Sequence, residues 1–167
     1  MKRKLVLRDL VCDTSAIQYL HQLGILDILN KIAGKVYVPT AVVNELKIGI
    51  INGVDLPVVT EIAWFNVIHP QGEKDVSLLS DMGPGETEVM MIALESDEII
   101  AILDDGLARQ RASLLEIDFT GTLGIMLDAK RLGLIEHIKP LLTKLNTLGF
   151  HLSTTTYRMI LNKANQV

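Results

Sequence analysis

The segment that most limits what this sequence can fold into is the apolar run IIAIL at residues 99–103. A continuous apolar run of this length is typical of a strand that is buried on both faces inside a parallel sheet. Two aspartates, Asp104 and Asp105, follow the run directly. Functional groups in open parallel α/β sheets gather beyond the carboxyl ends of the strands. The sequence therefore predicts an acidic site at the end of an interior strand.

Other segments continue a pattern of strands followed by helices. The apolar residues 10–12 and 36–38 indicate two further buried strands, and residues 66–69 indicate an edge strand. Apolar residues recur every third position from Ile17 to Leu29, which predicts one helix after the first strand. Strands that alternate with helices in this way predict an α/β fold with a parallel sheet.

The remaining predictions concern element ends and the size of the domain. We interpret Pro39-Thr40 as a strand exit followed by a helix N-cap, and Pro57 as a candidate helix start. Apolar residues make up 49% and charged residues 22% of the 167 residues, a balance that suits one well-filled core. We expect a single domain over residues 1–167 with a helical tail from about residue 135.

Further helices are predicted at residues 86–95 and 107–115 and from 122 onward, with a short strand at 117–119.

Cysteine usage and apolar run lengths indicate where the chain resides. Cys12 is the only cysteine, so neither an intrachain disulfide nor a multi-cysteine zinc site can form. The basic start of the chain resembles a signal peptide, but Arg8 and Asp9 interrupt the apolar stretch that follows it. No apolar run reaches the roughly 18 residues that a membrane span needs. We expect a cytoplasmic protein that does not enter a membrane.

Acidic residues beside element ends are the candidates for chemistry. Asp13 directly follows the strand at residues 10–12, so it can face the same cavity as the aspartate pair after the IIAIL run. Glu45 lies in the helix after the second strand, and Glu86 and Glu88 lie in the first turn of a later helix. A helix N-cap or a favourable interaction with a helix dipole explains any one of these acids. Neither explains four acidic positions spread over the chain, each near the end of an element.

Clustered carboxylates suit the cleavage of phosphodiester bonds. They can hold one or two Mg²⁺ or Mn²⁺ ions, which activate a water and stabilise the charge on the leaving oxygen. The net charge of −4 argues against binding nucleic acid by bulk electrostatics, so divalent ions would have to bridge carboxylates and phosphates. Four hydroxyl groups are candidates to orient waters or to bind substrate phosphates, and each is also explained as a helix cap. They belong to Thr14, Ser15, Thr120 and Thr122.

Five blocks of the sequence, in this order, resemble the PIN-domain ribonucleases and in particular a PIN-like subgroup of short prokaryotic proteins. The blocks are Asp13-Thr14-Ser15, VYVPTAVVNEL at residues 36–46, Gly85-Glu86-Thr87-Glu88, Leu103-Asp104-Asp105 followed by Ala108-Arg109, and Thr120-Gly121-Thr122-Leu123-Gly124. The resemblance implies a PIN-like three-layer α/β/α sandwich with a central, mostly parallel sheet.

The same resemblance implies a Mg²⁺- or Mn²⁺-dependent ribonuclease site. The doubled aspartate leaves Asp104 as an alternative metal ligand beside Asp105, and Glu88 competes with Glu86. Many members of the wider family resemble the toxin half of a toxin–antitoxin pair, which implies RNA as substrate and a small antitoxin as partner. The catalytic and metal-binding carboxylates that the resemblance implies are Asp13, Glu45, Glu86 and Asp105.

Two other function classes compete with the nuclease. A PIN-like module that binds nucleic acid or protein without cutting would show no metal-dependent turnover. A phosphotransfer receiver or a phosphohydrolase also places aspartates after strands, but Asp13 lacks the Asp-x-Asp arrangement and no lysine directly follows a late strand. We also expect a homodimer, because the apolar C-terminal helices leave more apolar surface than a monomer readily covers.

Overall fold

A five-stranded sheet forms the centre of the computed structural model, which describes residues 7–72 and 77–166. The strands are β1 (Asp9–Cys12), β2 (Val36–Pro39), β3 (Phe65–Ile68), β4 (Ile99–Ile102) and β5 (Phe119–Thr120). Their order in the sheet is β3-β2-β1-β4-β5, and every neighbouring pair is parallel. The predicted α/β class is thus confirmed, with a sheet that is parallel throughout.

Helices cover both faces of the sheet and give the three-layer α/β/α arrangement that the family resemblance implies. The helices are α1 (Thr14–Gln22), α2 (Ile28–Ile32), α3 (Thr40–Ile51), α4 (Pro84–Leu94), α5 (Gly106–Leu114), α6 (Thr122–Arg131), α7 (Ile138–Thr147) and α8 (Thr154–Lys163). Helix α4 packs against β1, β2 and β4 in one layer, where it also contacts α3. Helices α2 and α6 pack on each other in the other layer, over Leu10 and Ile100.

The interior strands are apolar because both of their faces are covered. Val11, Cys12 and Ile102 have no exposed surface, and Cys12 lies opposite Ile102 in the β1–β4 register. Burial raises the pKa of the Cys12 thiol above its usual range, so this side chain is an uncharged part of the core. The two strands that carry the predicted aspartates therefore lie side by side in the best-buried part of the sheet.

The prediction of one helix from Ile17 to Leu29 is wrong, because the chain forms two helices there. Gly24 adopts a φ of +75°, a left-handed conformation that ends helices and that glycine enters without strain. The Gly24 N–H donates to the carbonyl of His21, and the Ile25 N–H donates to the carbonyl of Leu20. These bonds close the end of α1, and the short α2 begins only after the turn.

Three other element ends differ from the sequence predictions. The N-cap of α3 is Pro39, and Thr40 is already the first helical residue. Pro57 does not begin an α-helix, since a single 3₁₀ turn at Val59–Glu61 follows it. The last strand was predicted at residues 117–119 but begins later, because the Ile117 N–H still donates to the carbonyl of Ala112 at the end of α5.

The C-terminal helices pack onto the rest of the domain. Helices α7 and α8 contact each other and α6, and they bury Ile138, Leu142, Leu145 and Ile160 in this contact region. No helix formed by the described residues has both the length and the apolar character needed to cross a bilayer.

Candidate active site at the carboxyl edge of the sheet

Asp13 follows β1 and caps α1. One carboxylate oxygen, Oδ1, accepts a hydrogen bond from the Ala16 N–H at 3.0 Å, and Oδ2 accepts one from the Ser15 hydroxyl at 3.1 Å. The residue is only 4% exposed although it is acidic. Aspartate is a favoured N-cap, which explains its place at the start of the helix. A cap does not require a buried charge, since serine, threonine and asparagine cap helices without one.

Asp104 and Asp105 follow β4, the neighbour of β1, and each holds the start of a helix. Asp104 accepts hydrogen bonds from the Thr122 N–H at 2.8 Å and from the Thr122 hydroxyl at 2.6 Å. Asp105 is the N-cap of α5 and accepts from the Ala108 N–H at 3.0 Å. Their backbone and side-chain partners thus fix both carboxylates at the same edge of the sheet as Asp13.

Glu45 lies in the second turn of α3 and bridges two other helix starts. Its Oε2 accepts from the Thr14 hydroxyl at 2.5 Å, and its Oε1 accepts from the Gly85 N–H at 2.7 Å. A Cβ at position 85 would collide with the Glu45 carboxylate, so the close approach of the two helices requires glycine there. Glu45 therefore links the first turns of α1 and α4 at the carboxyl edge.

Glu86 and Glu88 have different surroundings although both lie early in α4. Burial raises the pKa of Glu86, and the charges of Asp105 and Glu45 raise it further, while a backbone hydrogen bond from Gly83 acts in the opposite direction. Glu88 instead accepts from the Ala41 N–H at 2.9 Å. Glu86 thus lies close enough to Asp105 and Glu45 for their charges to act on it.

Glu88 joins a separate cluster at the start of α3. The Thr40 hydroxyl lies 3.1 Å from each Glu88 carboxylate oxygen and donates to that carboxylate. His69, which follows β3, places Nδ1 at 2.8 Å from the Thr40 hydroxyl oxygen and at 3.3 Å from Glu88 Oε1. These contacts provide partners for the first turn of α3, which has no N-cap side chain because Pro39 occupies that position.

Among the acidic side chains at the carboxyl edge, Asp13 has the largest pKa shift. Burial, and then the nearby charge of Asp104, raise its pKa to about 7; the Glu86 charge adds to the shift, and the bonds from Ala16 and Ser15 oppose it. We define the acidic cluster as Asp13, Glu45, Glu86, Asp104 and Asp105. No arginine, lysine or histidine among residues 7–72 and 77–166 forms an ion pair with any member of the acidic cluster.

The four hydroxyl residues singled out in the sequence fall into two groups. Thr14, Ser15 and Thr122 donate their hydroxyl hydrogens to carboxylates of the acidic cluster. Thr120 instead lines a cavity of about 370 Å³ between the sheet and α6, and its hydroxyl lies against Gly124. Three of the four hydroxyls therefore orient acidic side chains, and the fourth faces another part of the molecule.

A comparison with protein-family models matches residues 9–166 to the family described as "DUF3368: PIN domain". The chain belongs to the PIN-domain family. A comparison with curated proteins gives no match. PIN domains are in general nucleases, and they typically use divalent metal ions.

The acidic cluster fits the metal chemistry of PIN domains in its donor atoms. Carboxylate oxygens are the ligands that Mg²⁺ and Mn²⁺ prefer, and these carboxylates have no cationic partner in the described residues. Within those residues, no three histidine, cysteine, aspartate or glutamate side chains come close enough together to hold an ion between them. Mg²⁺ commonly binds through one or two carboxylates and keeps several waters. The site of this PIN domain thus suits an ion that retains part of its water shell.

Sequence reasoning assigned no role to Arg109, which the structure places beside the acidic cluster of this PIN domain. Its guanidinium and the Asp104 carboxylate both lie next to Gly121. The sequence offered one signal for this position: Arg109 follows the N-cap Asp105 by four residues, and residues four apart lie on one side of a helix. The bond between Glu45 and Gly85 had no comparable signal, since the two residues are 40 positions apart.

Proposed function

We propose that this PIN domain is a metal-dependent ribonuclease that cleaves phosphodiester bonds in RNA. Asp13, Glu45, Glu86 and Asp105 are the proposed catalytic carboxylates. The observation that supports the proposal best is the acidic cluster itself, in which one buried, three half-buried and one exposed carboxylate lie at one edge of the sheet without an ion-pair partner among the described residues. A protein keeps such an arrangement at a cost in stability, because like charges repel and burial disfavours the charged form.

We propose that Mg²⁺ or Mn²⁺ offsets this cost. The candidate ligands are the five members of the acidic cluster, Asp104 included; one or two of these carboxylates would hold an ion directly, and its waters would contact the others. When bound, such an ion lowers the pKa of a water and neutralises charge on a phosphate oxygen. A cation also explains how a chain of net charge −4 would accept a polyanion at its most acidic edge.

The chain's own residues hold the carboxylates in fixed positions. Asp13 and Asp105 are oriented by the helices that they cap, and Asp104 is oriented by two hydrogen bonds from Thr122. Thr14 does the same for Glu45. We propose that these hydroxyl groups act as positioning residues, because their hydrogens are already directed at carboxylates. Side chains locked in this way lose little entropy when they bind an ion or a substrate.

The first prediction is that cleavage depends on a divalent ion. The purified protein should cleave single-stranded RNA from a mixture of RNA and single-stranded DNA with Mg²⁺ or Mn²⁺ and should be inactive with a chelator. The same ions should raise the melting temperature, since a ligand present at 100 times its Kd stabilises the folded form by about 2.7 kcal/mol. If neither RNA turnover nor a thermal shift responds to the ions, the proposal of a metal-dependent nuclease fails, which is the result expected of a binding module that does not cut.

The proposal includes a role in the cell. We propose that the protein acts in the cytoplasm as the toxin of a toxin–antitoxin pair and that a small antitoxin protein binds it. This part rests on the resemblance to toxin-type PIN proteins. The neighbouring reading frame is the simplest observation on this point, because a small partner gene directly upstream would favour the toxin role.

The second prediction is that the protein is a homodimer. Helices α7 and α8 bury most of their apolar residues within the chain, and Met159 is the large apolar residue that they leave exposed, so most of the exposed apolar surface of the described residues lies elsewhere. Ile48, Ile51 and Val54 are exposed at the end of α3, and Ile51 is 83% exposed. Light scattering at micromolar concentration should therefore report a dimer, and Ile51→Lys should shift it to monomer. Leu114→Lys, a matched change at another exposed aliphatic residue, should leave the dimer intact; a monomeric parent protein would contradict the prediction.

A further inference from the structure

The Arg109 side chain is held in one orientation beside the acidic cluster. Its Nε donates to the carbonyl oxygen of Leu103 at 3.1 Å. Its guanidinium carbon lies 5.3 Å from the centre of the Phe119 ring, which is a cation–π distance. One contact comes from the residue that follows β4 and the other from β5. The flexible side chain is therefore ordered before any ligand arrives.

The outer edge of the guanidinium faces the space above Gly121. A Cβ built on Gly121 would lie 3.0 Å from Arg109 Nη2 and 2.8 Å from Asp104 Oδ1. The guanidinium and the carboxylate therefore flank this glycine. Arg109 is exposed, and within residues 7–72 and 77–166 neither of its Nη atoms forms a hydrogen bond or an ion pair. Within those residues, the guanidinium thus keeps its Nη donors free at the border of an acidic site.

We propose that Arg109 binds a backbone phosphate of the RNA, next to the phosphate that is cleaved; this inference rests on the proposed nuclease function. A guanidinium presents N–H groups in a planar fork that matches phosphate oxygens, and charge-assisted bonds of this kind are stronger than neutral ones. The Leu103 carbonyl and the Phe119 ring occupy Nε and one face, which leaves the Nη edge for the ligand. Arg109 supplies a fixed positive charge where the acidic cluster would otherwise repel the strand.

A purely structural role for Arg109 makes different predictions. If the guanidinium only offsets the charge of Asp104, its loss should lower stability or change metal affinity without altering how RNA binding depends on salt. A phosphate contact releases counterions from the nucleic acid, so its loss should make the dependence of log Kd on log salt shallower by about 0.7 for a single strand. The salt dependence therefore separates the two roles.

The test is equilibrium binding of a short labelled single-stranded RNA of mixed sequence, read by fluorescence anisotropy. Ca²⁺ replaces Mg²⁺ so that binding is measured without turnover. Arg109→Gln should weaken binding by about tenfold or more, with the shallower salt dependence given above. Arg109→Lys should recover the salt dependence, because it keeps the charge, and only part of the affinity. Arg158→Gln, a change at an exposed arginine on α8, is the matched control and should bind as the parent does.

Each outcome decides one question. If the parent cleaves RNA and Arg109→Gln binds with the parent's Kd and salt dependence, Arg109 does not contact phosphate, while the nuclease function stands. If the parent binds RNA without cleaving it in Mg²⁺ or Mn²⁺, and Arg109→Gln weakens that binding, the contact stands and the nuclease function fails. If the parent neither binds nor cleaves RNA, both proposals fail. Melting curves show whether each variant is folded, and if Arg109→Gln is not, Arg109→Met, which keeps a long side chain without the charge, carries the salt-dependence test.

Discussion

Replacing Asp13 by asparagine should reduce RNA cleavage by more than about 100-fold and leave the fold intact. Groups that merely orient a metal ligand cost roughly 10–100-fold in activity or metal affinity when they are removed, so the loss of a proposed ligand should cost more. The amide keeps the size of the carboxylate. Its oxygen can still accept from the Ala16 N–H, and its NH₂ can donate to the Ser15 hydroxyl, so α1 should remain capped.

Two measurements on Asp13→Asn separate a metal ligand from a helix cap. Cleavage is measured with Mn²⁺, and the thermal shift caused by Mn²⁺ is measured on the same sample. Asp27→Asn is the matched control, because Asp27 occupies the N-cap position of α2 but is exposed and makes no capping bond with its side chain. Asp27→Asn should still cleave RNA with Mn²⁺, and Mn²⁺ should still raise its melting temperature. An Asp13→Asn protein that cleaves RNA and shifts with Mn²⁺ as the parent does would show that Asp13 is only a cap.

The sequence predicts the interior of the sheet well because burial leaves a direct trace in it. Residues on β1, β2 and β4 are apolar at successive positions, since helices cover both faces of those strands. The prediction fails where backbone conformation decides an element's end. The apolar period continues through Gly24, yet the positive φ of that glycine ends α1. Periodicity describes which face is buried, and it does not report where the hydrogen-bond ladder stops.

The positions of the acidic residues were also predictable, but their orientations were not. Parallel strands bring Asp13 and the Asp104–Asp105 pair to one edge, and a helix that leads into β4 must start at that edge. Which glutamate of α4 faces the cluster depends on contacts with α3, where Thr40 and Ala41 bind Glu88. Such contacts join residues more than 40 positions apart, and neither propensity nor spacing records them. Whether these carboxylates bind an ion stays a prediction.

The metal-free protein should become less stable as the pH rises from about 4 to about 7. The pKa of Asp13 is raised to about 7 in the folded protein from a usual value of 3.8, so between these values the folded state keeps a proton that the unfolded state releases. The free energy of unfolding falls with pH wherever the folded state binds more protons. The shift corresponds to a loss on the order of 4 kcal/mol, complete above the folded pKa. The raised pKa of Glu86 acts in the same direction.

Comparison with Asp13→Asn isolates the contribution of Asp13, because both proteins share every histidine and every other carboxylate. Denaturant unfolding in chelator, from about pH 5 to about pH 8, should show the parent losing stability relative to the variant. At the upper end the variant should be the more stable protein, since it buries no charge at position 13. Adding Mn²⁺ should make the parent the more stable protein again, because the ion binds the parent and stabilises its folded state but does not bind Asp13→Asn. A stability difference that is constant across this pH range would mean that Asp13 does not change its protonation there and that burial and the neighbouring carboxylates do not raise its pKa to about 7.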